Sequence, residues 1–106
     1  MYQSTTPTIT FTFPDGIDMT QANKIFVTFA DNQDNVIINK TGNDLTVTAN
    51  TVKVTLAQEE TTEIPMRGLQ AQINWTYADE GITKRACTNI ITFDNVSKNL
   101  YPEIID

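Results

Sequence analysis

Apolar and polar residues alternate along several runs of this chain, the pattern typical of half-buried β-strands. The longest run covers residues 69–77 and carries five apolar side chains on one side: Leu69, Ala71, Ile73, Trp75 and Tyr77. Residues 79–81 end this run with a glycine, and a second long run extends from Thr83 to Phe93. Two long runs on either side of a three-residue turn that ends in glycine predict a β-hairpin. We expect the rest of the chain to pack against this hairpin.

Shorter alternating runs upstream predict five further strands, over residues 8–13, 24–30, 36–40, 45–49 and 52–56. Seven strands at a spacing of about 8–12 residues indicate an all-β fold, an immunoglobulin-like antiparallel β-sandwich. Only residues 57–63 have a helix-forming composition, and Ile64-Pro65 ends that stretch after one or two turns. We therefore expect one short helical corner near residues 57–63, with Thr55 and Gln58 as a capping box.

The length of 106 residues predicts one domain. We divide the chain into a lead-in (residues 1–7), a single β-sandwich domain (8–93) and a C-terminal tail (94–106). The tail carries more apolar residues than a free, polar terminus usually does. Leaving these side chains exposed to water loses about 25 cal/mol of stabilisation for each Å² that burial would cover. The tail therefore either folds back over the sandwich or docks on a neighbouring subunit. Its candidate assembly contacts are Leu100, Tyr101, Ile104 and Ile105.

Charge and hydropathy exclude two classes of partner. The chain has 13 acidic and 7 basic residues, giving a net charge of -6, and the basic residues are scattered. Such a surface repels phosphate backbones, so we expect no nucleic-acid partner. No apolar run approaches the roughly 20 residues that span a bilayer, so we expect no membrane association. Residues 1–7 lack the basic and apolar regions of a signal peptide, which predicts a cytoplasmic protein.

The residue inventory offers little catalytic chemistry. The chain has no histidine, which excludes Ser/His/Asp and Cys/His nucleophilic arrangements and His-based zinc sites. Cys87 is the only cysteine, so no disulfide framework exists. The turn at residues 31–35 resembles the start of a calcium loop, but Gly42 stands where the twelfth-position glutamate belongs. We therefore expect no enzyme activity, no catalytic residues, no cofactor and no metal site.

Trp75 and Tyr77 raise the question of a sugar-stacking platform. They share one side of their run with Leu69 and Ile73, which predicts that they belong to the core instead.

Three stretches point to a known group of proteins. They are the link Asp18-Met19-Thr20-Gln21-Ala22, the corner Leu56-Ala57-Gln58-Glu59-Glu60-Thr61 with Gly68 before the long strand, and the final hairpin turning at Asp79-Glu80-Gly81. Together they resemble the N-terminal immunoglobulin-like β-sandwich of upper baseplate proteins and related small structural proteins of Gram-positive phages and prophages. The resemblance covers residues 8–93.

The resemblance implies a non-enzymatic structural protein, an accessory subunit of a phage tail, baseplate or neck. Its partners would be other phage structural proteins or further copies of itself, and it would pass from the host cytoplasm to the virion on assembly. The alternative is a carbohydrate- or ligand-binding β-sandwich module. The chain has only 9 aromatic residues, most of them at core-facing positions, which favours the structural reading.

Overall fold

In the computed structural model, which describes residues 1–106, the alternating runs form eight strands in two antiparallel sheets. One sheet has the order β1-β5-β4. The other has the order β3-β2-β6-β7, with β8 paired to the far end of β6. The bounds are β1 Thr8–Thr12, β2 Lys24–Ala30, β3 Val36–Thr41, β4 Leu45–Val47, β5 Thr51–Thr55, β6 Leu69–Asp79, β7 Ile82–Cys87 and β8 Ile91–Phe93. The predicted all-β sandwich is confirmed.

The strand order is that of an immunoglobulin-like sandwich. The sheet β1-β5-β4 corresponds to strands B, E and D, and the sheet β3-β2-β6-β7 to strands C′, C, F and G. Strand A, which pairs with strand B in the complete fold, has no counterpart. Trp75 lies on β6, at the position of strand F, whereas antibody domains carry their buried tryptophan on strand C.

The core lies between the apolar faces of the two sheets. Its centre is formed by Val27 and Ile73, which face each other across β2 and β6 and are both fully buried. Trp75 is 9% exposed and meets Phe13 edge-on, with ring centroids 5.5 Å apart. The prediction that Trp75 belongs to the core is thereby confirmed.

The last predicted strand is interrupted, which raises the strand count from seven to eight. Cys87 lies opposite Asn74, but Ile91 lies opposite Ala71, so the register shifts by one residue between β7 and β8. At the break, the Thr88 amide donates to the Ile73 carbonyl at 2.9 Å, and the Thr88 hydroxyl accepts from the Ile73 amide at 3.2 Å. A threonine side chain thus takes the place of one ladder hydrogen bond.

The final hairpin turns over two residues rather than the three expected. Asp79 pairs with Ile82, which leaves Glu80 and Gly81 in the loop. Both have positive φ, 51° and 79°, as a type I′ turn requires. The twist of such a turn matches that of the two long strands.

The helical corner is confirmed as a helix over Gln58–Thr62, which we call α1. The expected capping pair is wrong, because the Thr55 hydroxyl bonds that of Thr8 at 2.8 Å instead. The first turn is closed by Glu60, whose carboxylate accepts the Ala57 amide at 2.8 Å. Lys40 also contacts this carboxylate at 2.8 Å, which ties α1 to β3.

The two ends of the chain pack together beside α1. The hydroxyl of Thr61, a fully buried residue, accepts the Thr5 amide at 2.9 Å and donates to the Thr5 carbonyl at 2.7 Å. Tyr2 and Ser97 form a parallel bridge, and Val96 beside it is buried in the core. Residues 95–99 therefore pack on the domain, whereas residues 100–106 lie exposed on its surface.

Candidate assembly surface

The four candidate assembly contacts all lie on the exposed stretch of residues 100–106, which we call the apolar segment. Leu100 is 92% exposed, Tyr101 60%, Ile104 41% and Ile105 66%. Four large apolar side chains exposed within seven residues make this segment a candidate interaction surface, whereas single scattered apolar side chains are normal on soluble proteins.

Hydrogen bonds hold the backbone of the apolar segment against the domain. The Gln58 side chain donates to the Ile105 carbonyl at 2.8 Å and accepts the Ile105 amide at 2.9 Å. At the other end, the Tyr101 amide donates to Asn99 Oδ1 at 3.0 Å. The sequence did not indicate this role for Gln58, because its partner lies 47 residues further along the chain. The segment thus presents apolar side chains from a backbone that is already positioned.

Charged groups on this surface are largely unpaired. The ion pairs of the molecule are Lys40 with Glu60 and Lys84 with Asp79, both at 2.8 Å. Glu103 and Asp106 of the apolar segment are exposed and contact no basic side chain within ion-pair distance.

One titratable group of the chain, Asp31, has a clearly shifted pKa. No group of three or more metal-ligating side chains comes together, and every buried side-chain polar atom has a hydrogen-bond partner. The pKa of Asp31 is lowered, chiefly by hydrogen bonds from the Asn35 amide and side chain and then from the Gln33 amide. These amides lie 2.9 Å from Asp31 Oδ1. Asp31 therefore closes the turn between β2 and β3.

A shallow depression lies on the outer, polar face of the larger sheet. It has a volume of about 360 Å³, and half-buried Phe26 forms its apolar part together with Val36 and Trp75. The Arg85 guanidinium beside it donates to Asn74 Oδ1 at 2.9 Å and 3.2 Å. An aromatic ring next to amide and guanidinium groups can hold a small polar ligand.

A larger groove of about 480 Å³ runs between β1 and the β7–β8 edge. Its floor is formed by Phe11, Phe13 and Trp75, which belong to the core. The sequence alone did not indicate this groove. The available signal was that no strand precedes β1, although the immunoglobulin-like fold has one there.

Comparison of the chain with protein-family models, with characterised proteins and with solved structures finds no match. Neither the length nor the composition of any helix is suited to crossing a membrane.

Proposed function

We propose that this chain is a non-enzymatic structural protein that acts through protein–protein contacts, as an accessory subunit of a phage or prophage tail, baseplate or neck. The observation that carries the proposal is the apolar segment, whose four large apolar side chains are exposed on a backbone held by Gln58. Its partners are other phage structural proteins or further copies of the same chain. Before assembly it resides in the host cytoplasm, and afterwards in the virion.

One physical term favours association through the apolar segment. Covering its side chains removes apolar area from water, at about 25 cal/mol per Å². In the free subunit, the hydrogen bonds to Ile105 and Tyr101 keep the segment on the surface of its own domain.

The phage assignment rests on the stretches that resemble baseplate proteins. In the 18–22 link, Asp18 accepts the Thr20 amide at 3.0 Å and caps a 3₁₀ turn. The 56–61 stretch forms the start of α1, where Glu60 accepts the Ala57 amide. Both stretches are corners with side-chain caps, and such corners depend on residue type more than strands do.

The assembly role is tested by sedimentation velocity over a concentration series. We expect the wild-type chain to self-associate, and the double variant Leu100→Ser/Ile104→Ser to associate at least about tenfold more weakly. The matched control is Val36→Ser/Ile82→Ser, which removes two exposed apolar side chains elsewhere, 62% and 61% exposed. Equal weakening by both double variants would contradict a role specific to the apolar segment.

The phage assignment is tested by mass spectrometry of particles purified after lysis of the source cells. We expect the chain to co-purify with tail or baseplate proteins at a fixed ratio. A chain absent from such particles, and monomeric at every concentration, has no assembly role.

A second candidate function, binding of a carbohydrate or another small polar ligand, is favoured by the depression around Phe26. Its aromatic ring and the neighbouring Asn74 and Arg85 are the groups that hold sugar rings in shallow sites. A glycan-array signal that is lost in Phe26→Ala, with unchanged melting, would support it. Absence of any signal for the wild-type chain would remove this candidate.

A further inference from the structure

The sheet β1-β5-β4 lacks the strand that would border β1. In the complete immunoglobulin-like fold, strand A occupies this place. Residues 1–7 precede β1 but turn away towards α1, where Gln3 Nε2 donates to the Ile64 carbonyl at 2.7 Å and Thr5 bonds Thr61. The position beside β1 is therefore open.

The backbone of β1 offers unpaired hydrogen-bonding groups to this open position. The Phe13 amide donates to the Asn50 carbonyl at 2.7 Å, and the Pro7 carbonyl accepts the Leu56 amide at 3.0 Å. Because antiparallel pairing alternates along a strand, the intervening even-numbered residues direct their amides and carbonyls away from β5. These residues are Thr8, Thr10 and Thr12.

Of the five edge strands, β1 alone lacks a feature that blocks further pairing. β4 and β8 have only three residues each. β3 carries Lys40 and faces a register shift at Phe29/Ala30. β7 carries Lys84 and Arg85 and ends at the register break before β8. β1 has five regularly paired residues without charge or proline, which is the form of edge that accepts another strand.

The groove beside β1 is mostly apolar, with 8 hydrophobic residues among the 13 that line it. Phe11, Phe13 and Trp75 form the floor, and Ile17 and Ile91 on the rims are each 36% exposed. No charged residue lines the groove. A strand with one apolar face would cover it.

We propose that this groove takes the apolar segment of a second copy of the chain, as a strand added beside β1. This inference rests on the assembly role proposed above and names its partner. Seven residues extend about 24 Å and β1 about 17 Å, at about 3.4 Å per residue. Along an extended strand, Leu100, Pro102 and Ile104 share one face. That apolar face enters the groove.

The position of Pro102 is compatible with this pairing. Residues of one parity direct their amides to β1, and those of the other parity direct them outward. With Tyr101, Glu103 and Ile105 bonded to β1, Pro102 lies at an outward position, where its missing amide costs no hydrogen bond.

Charge complementarity supports the same arrangement. Glu103 then points to the outer face of the sheet β1-β5-β4, where threonines predominate and Lys53 is the only charged strand residue. Lys53 lies opposite Thr10 and has no ion-pair partner within the chain. An added strand therefore brings an unpaired carboxylate towards an unpaired ammonium group.

Gln58 holds the apolar segment in the free subunit. Its two hydrogen bonds to Ile105 occupy the amide and the carbonyl that strand pairing would use. Pairing with β1 exchanges these two bonds, and the bond from the Tyr101 amide to Asn99, for ladder bonds of the same kind. The bond from the Ser4 hydroxyl to the Pro102 carbonyl, 3.4 Å long, is given up, and that carbonyl then faces water.

The test is a crosslinking experiment between two single-cysteine variants in a Cys87→Ser background. One carries Thr10→Cys on the edge of β1, and the other carries Glu103→Cys on the apolar segment. With a short thiol-specific crosslinker, we expect a heterodimer in the mixture at a yield at least about tenfold that of the control. The matched control replaces Thr10→Cys by Thr46→Cys, which lies on the same outer face but at the opposite edge.

Two results would overturn the inference. One is a heterodimer yield no higher than that of the Thr46→Cys control. The other is an internal crosslink, and no dimer, in a chain carrying both Thr10→Cys and Glu103→Cys, which would show that the segment fills its own groove. In either case, association that depends on Leu100 and Ile104 would leave the assembly role standing.

Hydrogen exchange of the wild-type chain gives a readout that needs no variant. We expect the amides of Thr8, Thr10 and Thr12 to exchange at least about tenfold more slowly at associating than at monomeric concentrations. Unchanged exchange at these amides in the associated protein would place the contact elsewhere and reject the groove.

Discussion

At the residue scale, Trp75 shows how much a single buried aromatic contributes. It packs edge-on against Phe13 and is 9% exposed. We expect Trp75→Ala to lower the free energy of unfolding by about 3–5 kcal/mol, because truncation loses apolar burial and leaves a cavity. Chemical denaturation followed by circular dichroism measures this change. The control is exposed Tyr101→Ala, expected within about 0.5 kcal/mol of wild type; equal effects would contradict the core role.

Asp31 makes a prediction about pH. Hydrogen bonds from Asn35 and Gln33 lower its pKa in the folded state below the unfolded value. The carboxylate therefore stabilises the fold above the unfolded pKa of about 3.9, and this contribution is lost as the pH falls through the folded pKa. We expect the melting temperature of Asp31→Asn to fall less steeply than that of wild type on acidification below about pH 4. Exposed Asp15→Asn is the control, and identical slopes for the two variants would refute the effect.

The sequence predicts the burial of a single residue well where that burial depends on residues close to it in the chain. Trp75 shares a face with Leu69 and Ile73, so alternation alone places it in the core. Thr61 and Gln58 contact residues 56 and 47 positions away, Thr5 and Ile105. No local pattern encodes such pairs, because the fold alone brings them together.

At the scale of elements, the type and order of the strands follow from the sequence, but the pairing details do not. The run from Thr83 to Phe93 predicts one strand, because the alternation of apolar and polar residues carries no sign of the one-residue shift in pairing with β6. The break at Thr88 depends on a hydroxyl that replaces a backbone carbonyl. Similarly, the turn at Glu80-Gly81 was overestimated by one residue, because the pairing of Asp79 with Ile82 decides its length.

Gly68, at the entry to β6, makes a prediction about a close approach between elements. Its φ is +74°, and an added Cβ would lie 2.5 Å from the Cβ of Asn32 in the β2–β3 turn. We expect Gly68→Ala to cost about 2 kcal/mol or more, from left-handed strain together with displacement of that turn.

The control for Gly68 is Gly42→Ala, which has a φ of +58° but nothing within 4 Å of the added Cβ. It should cost only the backbone term of about 1 kcal/mol. Urea unfolding measures the loss in free energy of unfolding for both variants. Equal losses would mean that the β2–β3 turn moves away from the added Cβ without a measurable loss of stability.

At the scale of the whole molecule, residues 95–99 and 100–106 should behave differently on truncation. A chain ending after Asn99 keeps buried Val96 and the bridge between Tyr2 and Ser97, so we expect its stability within about 1 kcal/mol of wild type. A chain ending after Asp94 loses both, and we expect a loss of about 2–4 kcal/mol. Thermal melting of the two truncations separates these contributions. Equal stabilities would show that residues 95–99 do not support the domain.

The candidate surface was only half predictable at this scale. The number of apolar residues around Leu100 and Ile104 is enough to predict one side of the proposed contact from composition alone. The groove beside β1 is formed by Phe13, Trp75 and Ile91, which come from three separate parts of the chain. Its openness follows from the path of residues 1–7 towards α1, which the sequence does not reveal.

The pairing of β1 with β5 has a consequence for the order of folding. Hairpins such as β4–β5 and β6–β7 join strands that are neighbours in the chain, and they form within about 1–10 µs. The pairing of β1 with β5 is slower, because it first requires the long stretch of chain between Thr10 and Lys53 to close into a loop. Closure of such long loops slows sandwich folding to milliseconds or seconds. We expect pulsed hydrogen exchange to show the amides of Phe11 and Phe13 protected after those of β6. Simultaneous protection would contradict this order. Pairing of β1, the strand that borders the groove, is then the rate-limiting step of folding.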